Sequence, residues 1–109
     1  MAMNDSEFHQ LADDFYQLLT EKVEVYEDDL DWELNGSVLE LEFADESKII
    51  INRQEPLHQI WVATKFNGHH FEYTDSKQWI DNREGGELLS FLEDAIEKQS
   101  GIRLQLTDA

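Results

Sequence analysis

Glu21, Glu24 and Asp28 stand at positions i, i+3 and i+7, a spacing that lines carboxylates along one helix face about 5–6 Å apart. Glu27, Asp28, Asp29 and Asp31 carry the cluster into the segment that follows. Carboxylate oxygens suit hard cations, among which ferric iron belongs by charge and size, and ferrous iron is also acceptable. The competing interpretation is a solvated face kept acidic for solubility. Such faces normally mix signs, and this one barely does. From Met1 to Ser47 there are fifteen Asp and Glu residues and one base, Lys22, whereas the remaining ten acids lie among seven bases. Like charges at helical spacing each cost a few tenths of a kcal/mol. On the residues alone, cation binding and solubility stand side by side.

A second pattern lies in NRQEPLHQIW, residues 52–61. Ile60 and Val62 alternate with Gln59 and Trp61, so a strand here turns the aliphatic pair one way and the amide and indole the other. If the aliphatic pair faces a core, Trp61 is offered to solvent. An exposed tryptophan beside amides has the composition of an interface hot spot. Trp32 and Trp79 are the better candidates for core or edge positions.

Other chemistries find less support. An EF-hand begun at Asp29 meets Leu34 where glycine is required. A buried zinc site is not expected, because His58, His69 and His70 fall on different strands or faces and His9 lies on a helix. Each is expected to be a surface or packing histidine, with His9 at most a weak helper at the acidic ridge. The absence of cysteine excludes disulfides and thiolate ligands. There is no G-x-S-x-G elbow and no phosphate-binding loop, and exposed carboxylates lack the apolar pocket that raises a general acid's pKa. We therefore expect no enzyme. A net charge of −17 argues against nucleic acid, whose phosphates need Lys and Arg, and favours cations or basic protein surfaces. No apolar run approaches the roughly 20 residues of a membrane span, and MAMNDSEF lacks the features of a signal peptide, so a cytoplasmic protein is expected. Met1 and Ala2 read as a cloning remnant.

The elements that position these residues follow from periodicity. Asn4 with Glu7 forms a capping box, opening a helix over about residues 5–26 with Phe8, Leu11, Phe15, Leu18, Leu19 and Tyr26 on its apolar side. From Leu30 the period becomes two. Trp32 and Leu34, then Leu39, Leu41 and Phe43, flank Asn35-Gly36, a type I′ hairpin signal. Further strands are expected at Lys48–Asn52, Leu57–Thr64, after Asn67-Gly68, and around Trp79. Gly85-Gly86 precedes a second helix with Leu88, Leu89, Leu92, Ala95 and Ile96 buried, and Gly101 ends it in a left-handed conformation. Ile102, Leu104 and Leu106 turn the tail back onto the helices. The expectation is one domain over residues 1–109 of the α+β class. Two helices cover one face of a five- to six-stranded, mostly antiparallel sheet in a two-layer sandwich.

This order of residues resembles a known family. The opening NDSEFHQLAD, the acidic ridge, the N-G hairpin and SKIIINRQEPLHQIW, closed by a second helix, look like the bacterial frataxins of the CyaY family, over essentially the whole chain from Met3. The resemblance implies a small iron-binding protein of iron–sulfur cluster assembly, holding ferrous or ferric iron weakly at surface carboxylates. Carried over by position, the metal ridge is Glu21, Glu24, Glu27, Asp28, Asp29, Asp31 and Glu33, and the recognition surface on the sheet is Asn52, Gln54, Gln59 and Trp61. The implied partners are the cysteine desulfurase and the iron–sulfur scaffold protein, with the chain acting as iron donor, as desulfurase regulator, or both. A monomer is expected, with metal-induced oligomers left open. The alternative is a metal-independent inhibitor whose acidic surface binds proteins as a polyanion mimic.

Overall fold

Asn4 opens the first helix, α1 (Asp5–Glu24), as a reciprocal cap: its Oδ1 accepts from the Glu7 N–H at 2.8 Å, and Glu7 Oε1 accepts from the Asn4 N–H at 3.4 Å. The structure, a computed structural model, describes residues 3–106. The expected remnant at Met1 and Ala2 lies outside the described residues, as does the tail after Leu106. The helix ends two residues earlier than its apolar pattern suggested, because the Tyr26 N–H turns back to Val23 O at 2.9 Å and Leu30 N–H reaches Tyr26 O at 3.2 Å.

Six strands follow: β1 (Leu30–Asn35), β2 (Val38–Phe43), β3 (Lys48–Gln54), β4 (Gln59–Ala63), β5 (Gly68–Tyr73) and β6 (Trp79–Asp81). They pair in sequence order as an antiparallel meander. The second helix, α2 (Leu88–Ser100), is capped by the Glu87 side chain and closed by Gly101 at φ +79°. Leu39, Leu41, Ile49, Ile51, Ile60 and Phe71 of the sheet share one core with Phe8 and Leu19 of α1 and Leu88, Leu92 and Ile96 of α2. Full burial of each such side chain stabilises by about 1.5–3 kcal/mol. Leu104 and Leu106 of the tail join that core, and Leu106 N–H donates to Glu93 Oε2 at 2.6 Å.

Several local expectations shift. The first hairpin turns at Gly36-Ser37, since Asn35 pairs with Val38 and only Gly36 (φ +61°) has positive φ; that is the pattern of a type II′ turn rather than I′. Pro56 seeds a short 3₁₀ turn (Glu55–Leu57), and His58 follows at φ +52°. The fourth strand therefore starts at Gln59 instead of Leu57. On α1 the buried stripe is Phe8, Ala12, Phe15, Tyr16, Leu19 and Val23, while Leu18 is 40% exposed. Tyr16 takes the core position because its hydroxyl donates to Ser37 O at 2.7 Å and Ile51 O at 3.2 Å, which satisfies its polar end. Trp79 is buried, whereas Trp32 and Leu34 are 39% and 43% exposed, because β1 is the sheet edge.

Candidate functional site

The acidic ridge spans three local structures. Glu21 and Glu24 occupy the last turn of α1, Glu27, Asp28 and Asp29 the turn after it, and Asp31 and Glu33 the outer face of β1. All seven are exposed. Glu21 accepts from Gln17 Nε2 at 3.3 Å and Glu33 from Asn35 Nδ2 at 3.0 Å, neutral donors that leave their charges in place. Strand pairing widens the ridge beyond the residues foreseen. Asp31 lies directly opposite Glu42, and Glu33 directly opposite Glu40, and like charges in facing positions destabilise a sheet. Lys48 offsets part of this, with its Nζ 3.7 Å from Glu40 Oε2. A shallow hollow of about 310 Å³ lies among Glu27, Asp28, Asp29, Asp31 and Glu42. The alternation of Glu40 and Glu42 with Leu39, Leu41 and Phe43 was the signal that could have found them. His9 does not assist the ridge: its Nε2 meets Glu55 Oε1 at 2.7 Å, beside the start of α1.

The recognition residues are brought together as two facing pairs on the outer sheet face, Asn52 opposite Trp61 and Gln54 opposite Gln59. Their exposure differs from expectation. Trp61 is half-buried, because its indole stacks on the His70 ring at 4.2 Å and 14° and its N–H donates to Gln59 Oε1 at 2.7 Å. Gln59 is only 8% exposed and donates in turn to Glu72 Oε2 at 2.6 Å. The outward face of β4 is thus a fixed, hydrogen-bonded plate.

The NRQEPLHQ segment before that plate is clamped to α1. Arg53 Nη1 pairs with Asp13 Oδ1, and His58 Nε2 meets Asp5 Oδ1, each at 2.7 Å. The His58 ring also stacks on Phe8 at 5.3 Å, and the Arg53 guanidinium lies 4.8 Å over the Tyr16 ring. Burial pushes the Tyr16 phenol up to about 12, with Arg53 partly opposing the shift.

The architecture is a six-stranded antiparallel meander under two helices, with an acid-lined edge and an indole plate on the bare face. A family model described as the frataxin-like domain matches residues 1–102. The chain belongs to the frataxin family. Among curated relatives, "Iron-sulfur cluster assembly protein CyaY" of Shewanella sp. strain ANA-3 is 56% identical over 108 residues, covering 95% of this chain and 98% of that one. The same-named protein of Shewanella sp. strain W3-18-1 is 53% identical with equal coverage. The solved frataxin of Psychromonas ingrahamii superposes at a TM-score of 0.90 with 54% identity, over 97% of this chain and 100% of the other. Trimeric frataxin from the yeast Saccharomyces cerevisiae, complexed with ferrous, superposes at 0.72 with 27% identity over 94% and 90%. The two-layer α+β sandwich is the frataxin fold. No helix among the described residues is long and apolar enough to cross a membrane.

The histidines of this frataxin hold one arrangement that sequence reasoning missed. His69 on β5 meets Asp81, at the end of β6, with Nδ1 to Oδ2 at 2.9 Å, and its Nδ1 lies 3.4 Å from Glu84 Oε2. Burial pushes the Asp81 carboxyl up, but the Arg83 N–H, the His69 ring and the Glu84 N–H outweigh it and hold the group below the usual carboxylate range. No sequence spacing signals this group.

Proposed function

We propose that the chain is an iron-binding protein of iron–sulfur cluster assembly. It holds ferrous or ferric iron weakly at Glu21, Glu24, Glu27, Asp28, Asp29, Asp31 and Glu33, and acts as iron donor, as regulator of the cysteine desulfurase, or both. Asn52, Gln54, Gln59 and Trp61 engage the scaffold protein and the desulfurase. The protein works as a monomer in the cytoplasm. The observation that carries this reading is the facing of Asp31 with Glu42 and of Glu33 with Glu40. Repulsion of this kind is relieved by bound cations or by a basic partner. The names of the curated relatives and the ferrous complex of yeast frataxin support the pathway and the metal.

The metal-independent inhibitor is favoured by a different observation. Among the described residues, the one group of three ligand side chains gathered within 4.8 Å of one another is His69, Asp81 and Glu84, and it is not on the ridge. Ridge carboxylates that do not converge hold cations by their summed field, which is weak and screened by salt. Anaerobic calorimetry with ferrous iron separates the two. Wild type should bind iron, and a Glu21→Gln, Glu24→Gln, Asp28→Asn variant should bind less. Superimposable isotherms for the two proteins would remove the ridge as an iron site, and desulfurase binding by an iron-free wild type would then support the inhibitor.

A further inference from the structure

We propose that His69, Asp81 and Glu84 form a second metal site, a chelating one for a divalent first-row transition cation of the zinc type, separate from the acidic ridge. Ligand atoms held about 2.1 Å from such a cation lie about 3.0–3.4 Å from one another. Of the two distances from His69 Nδ1, 3.4 Å to Glu84 Oε2 falls within that range and 2.9 Å to Asp81 Oδ2 lies just under it. All three ligand atoms fall within 4.8 Å of each other, and Glu84, 70% exposed, is free to close the remaining side.

The first two ligands are held in place by their surroundings. Asp81 Oδ1 accepts from the backbone N–H groups of Arg83 and Glu84 at 2.8 and 3.1 Å. That fixes the carboxylate and aims Oδ2 at His69 Nδ1, so that a cation binding there would replace the hydrogen bond between them, in the manner of outer-shell bonds that orient metal ligands. The His69 ring packs against Phe91 at 4.4 Å, and its side chain is 15% exposed while that of Asp81 is 4%. One imidazole with two carboxylates suits zinc, cobalt or ferrous ions, whereas magnesium and calcium prefer all-oxygen sets. A cavity of about 390 Å³ beside the trio has room for water ligands and for entry from solvent. Arg83 and His70 also border it. The carboxylate pair leaves a negative site for a divalent ion even beside Arg83, and His70 is committed to its stack on Trp61.

The competing role is a bracing contact that ties β5 to β6 without metal. Zinc titration followed by calorimetry distinguishes them, with nitrogen-detected NMR of the imidazole rings on the same samples. Wild type should bind one equivalent of Zn²⁺ and shift the His69 Nδ1 resonance, with magnesium in excess failing to compete. His69→Gln and Glu84→Gln should each weaken zinc at least tenfold, while Glu21→Gln, Glu24→Gln, Asp28→Asn should leave this site unchanged. Glu84 is exposed, so Glu84→Gln carries the test if His69→Gln proves unstable. Absence of zinc binding, wild-type affinity in Glu84→Gln, or loss of the site in the ridge variant would each overturn the proposal. The first two outcomes leave iron at the ridge untouched, whereas the third would place the zinc on the ridge itself.

Discussion

The indole N–H of Trp61 donates to Gln59 Oε1 at 2.7 Å, two residues back on the same outward face of β4. The tryptophan is therefore set rigidly before any partner arrives. Preorganisation of this kind lowers the ordering cost of binding.

Trp61→Ala should reduce scaffold or desulfurase binding by about tenfold or more, and cost about 1–2 kcal/mol of stability through loss of the His70 stack and half-buried area. Gln59→Ala should destabilise by a similar amount, because it strips the acceptor from the indole and the donor from Glu72. Urea melts and binding titrations on the same variants check both. If Trp61→Ala lowers stability by more than 3 kcal/mol while binding survives in the folded fraction, the residue is core rather than contact.

Asp31→Lys turns a facing acid pair with Glu42 into an attractive one. We expect a stability gain of about 0.5–1 kcal/mol, together with weaker iron binding. Added salt should raise the melting temperature of wild type more than that of the variant, since less repulsion remains to be screened. Equal salt responses would show that the cross-strand acids do not strain the sheet.

Tyr16 gives the fold an alkaline limit. Its phenol titrates near an ordinary pKa of 10 in the unfolded chain and is raised to about 12 when folded. The folded state thus retains a proton that the unfolded state releases. The associated stability is complete below pH 10 and is lost as pH rises from 10 to 12, about 2–3 kcal/mol in all. Tyr16→Phe should be less stable at neutral pH by about 1–2 kcal/mol, yet show a shallower decline above pH 10. Parallel alkaline profiles for the two proteins would contradict this.

Gln99 is a buried polar tie. Its Nε2 donates to Ser47 Oγ and Lys48 O at 3.0 Å each, and its Oε1 accepts from the Lys65 N–H at 3.1 Å. Gln99→Leu keeps the volume and removes three partners, so a loss of about 2–3 kcal/mol is expected in thermal or urea unfolding. A neutral result would mean that water replaces the amide.

Features that depend on near neighbours in the chain were legible in the sequence. The Asn4–Glu7 cap, the Gly101 stop, the exposed placing of Glu21 and Glu24 on α1, and the inward facing of Ile60 and Val62 all follow from periods of 3.6 and 2 or from single-residue backbone preferences, whereas Asp28, expected on the same helix face, falls in the turn beyond the helix end. Alternation also placed Gln59 and Trp61 on the outer face, but it says nothing of what stands beside them. The burial of Gln59 beside Glu72, the His70 stack, the meeting of Asp31 with Glu42 and the convergence of His69, Asp81 and Glu84 were decided by strand register. Register is set by turns and by the collective burial of a whole face, so it brings together residues 9–15 positions apart whose types carry no mutual signal. Local periodicity chooses the face of the sheet on which a side chain stands; only the packed sheet chooses its neighbours.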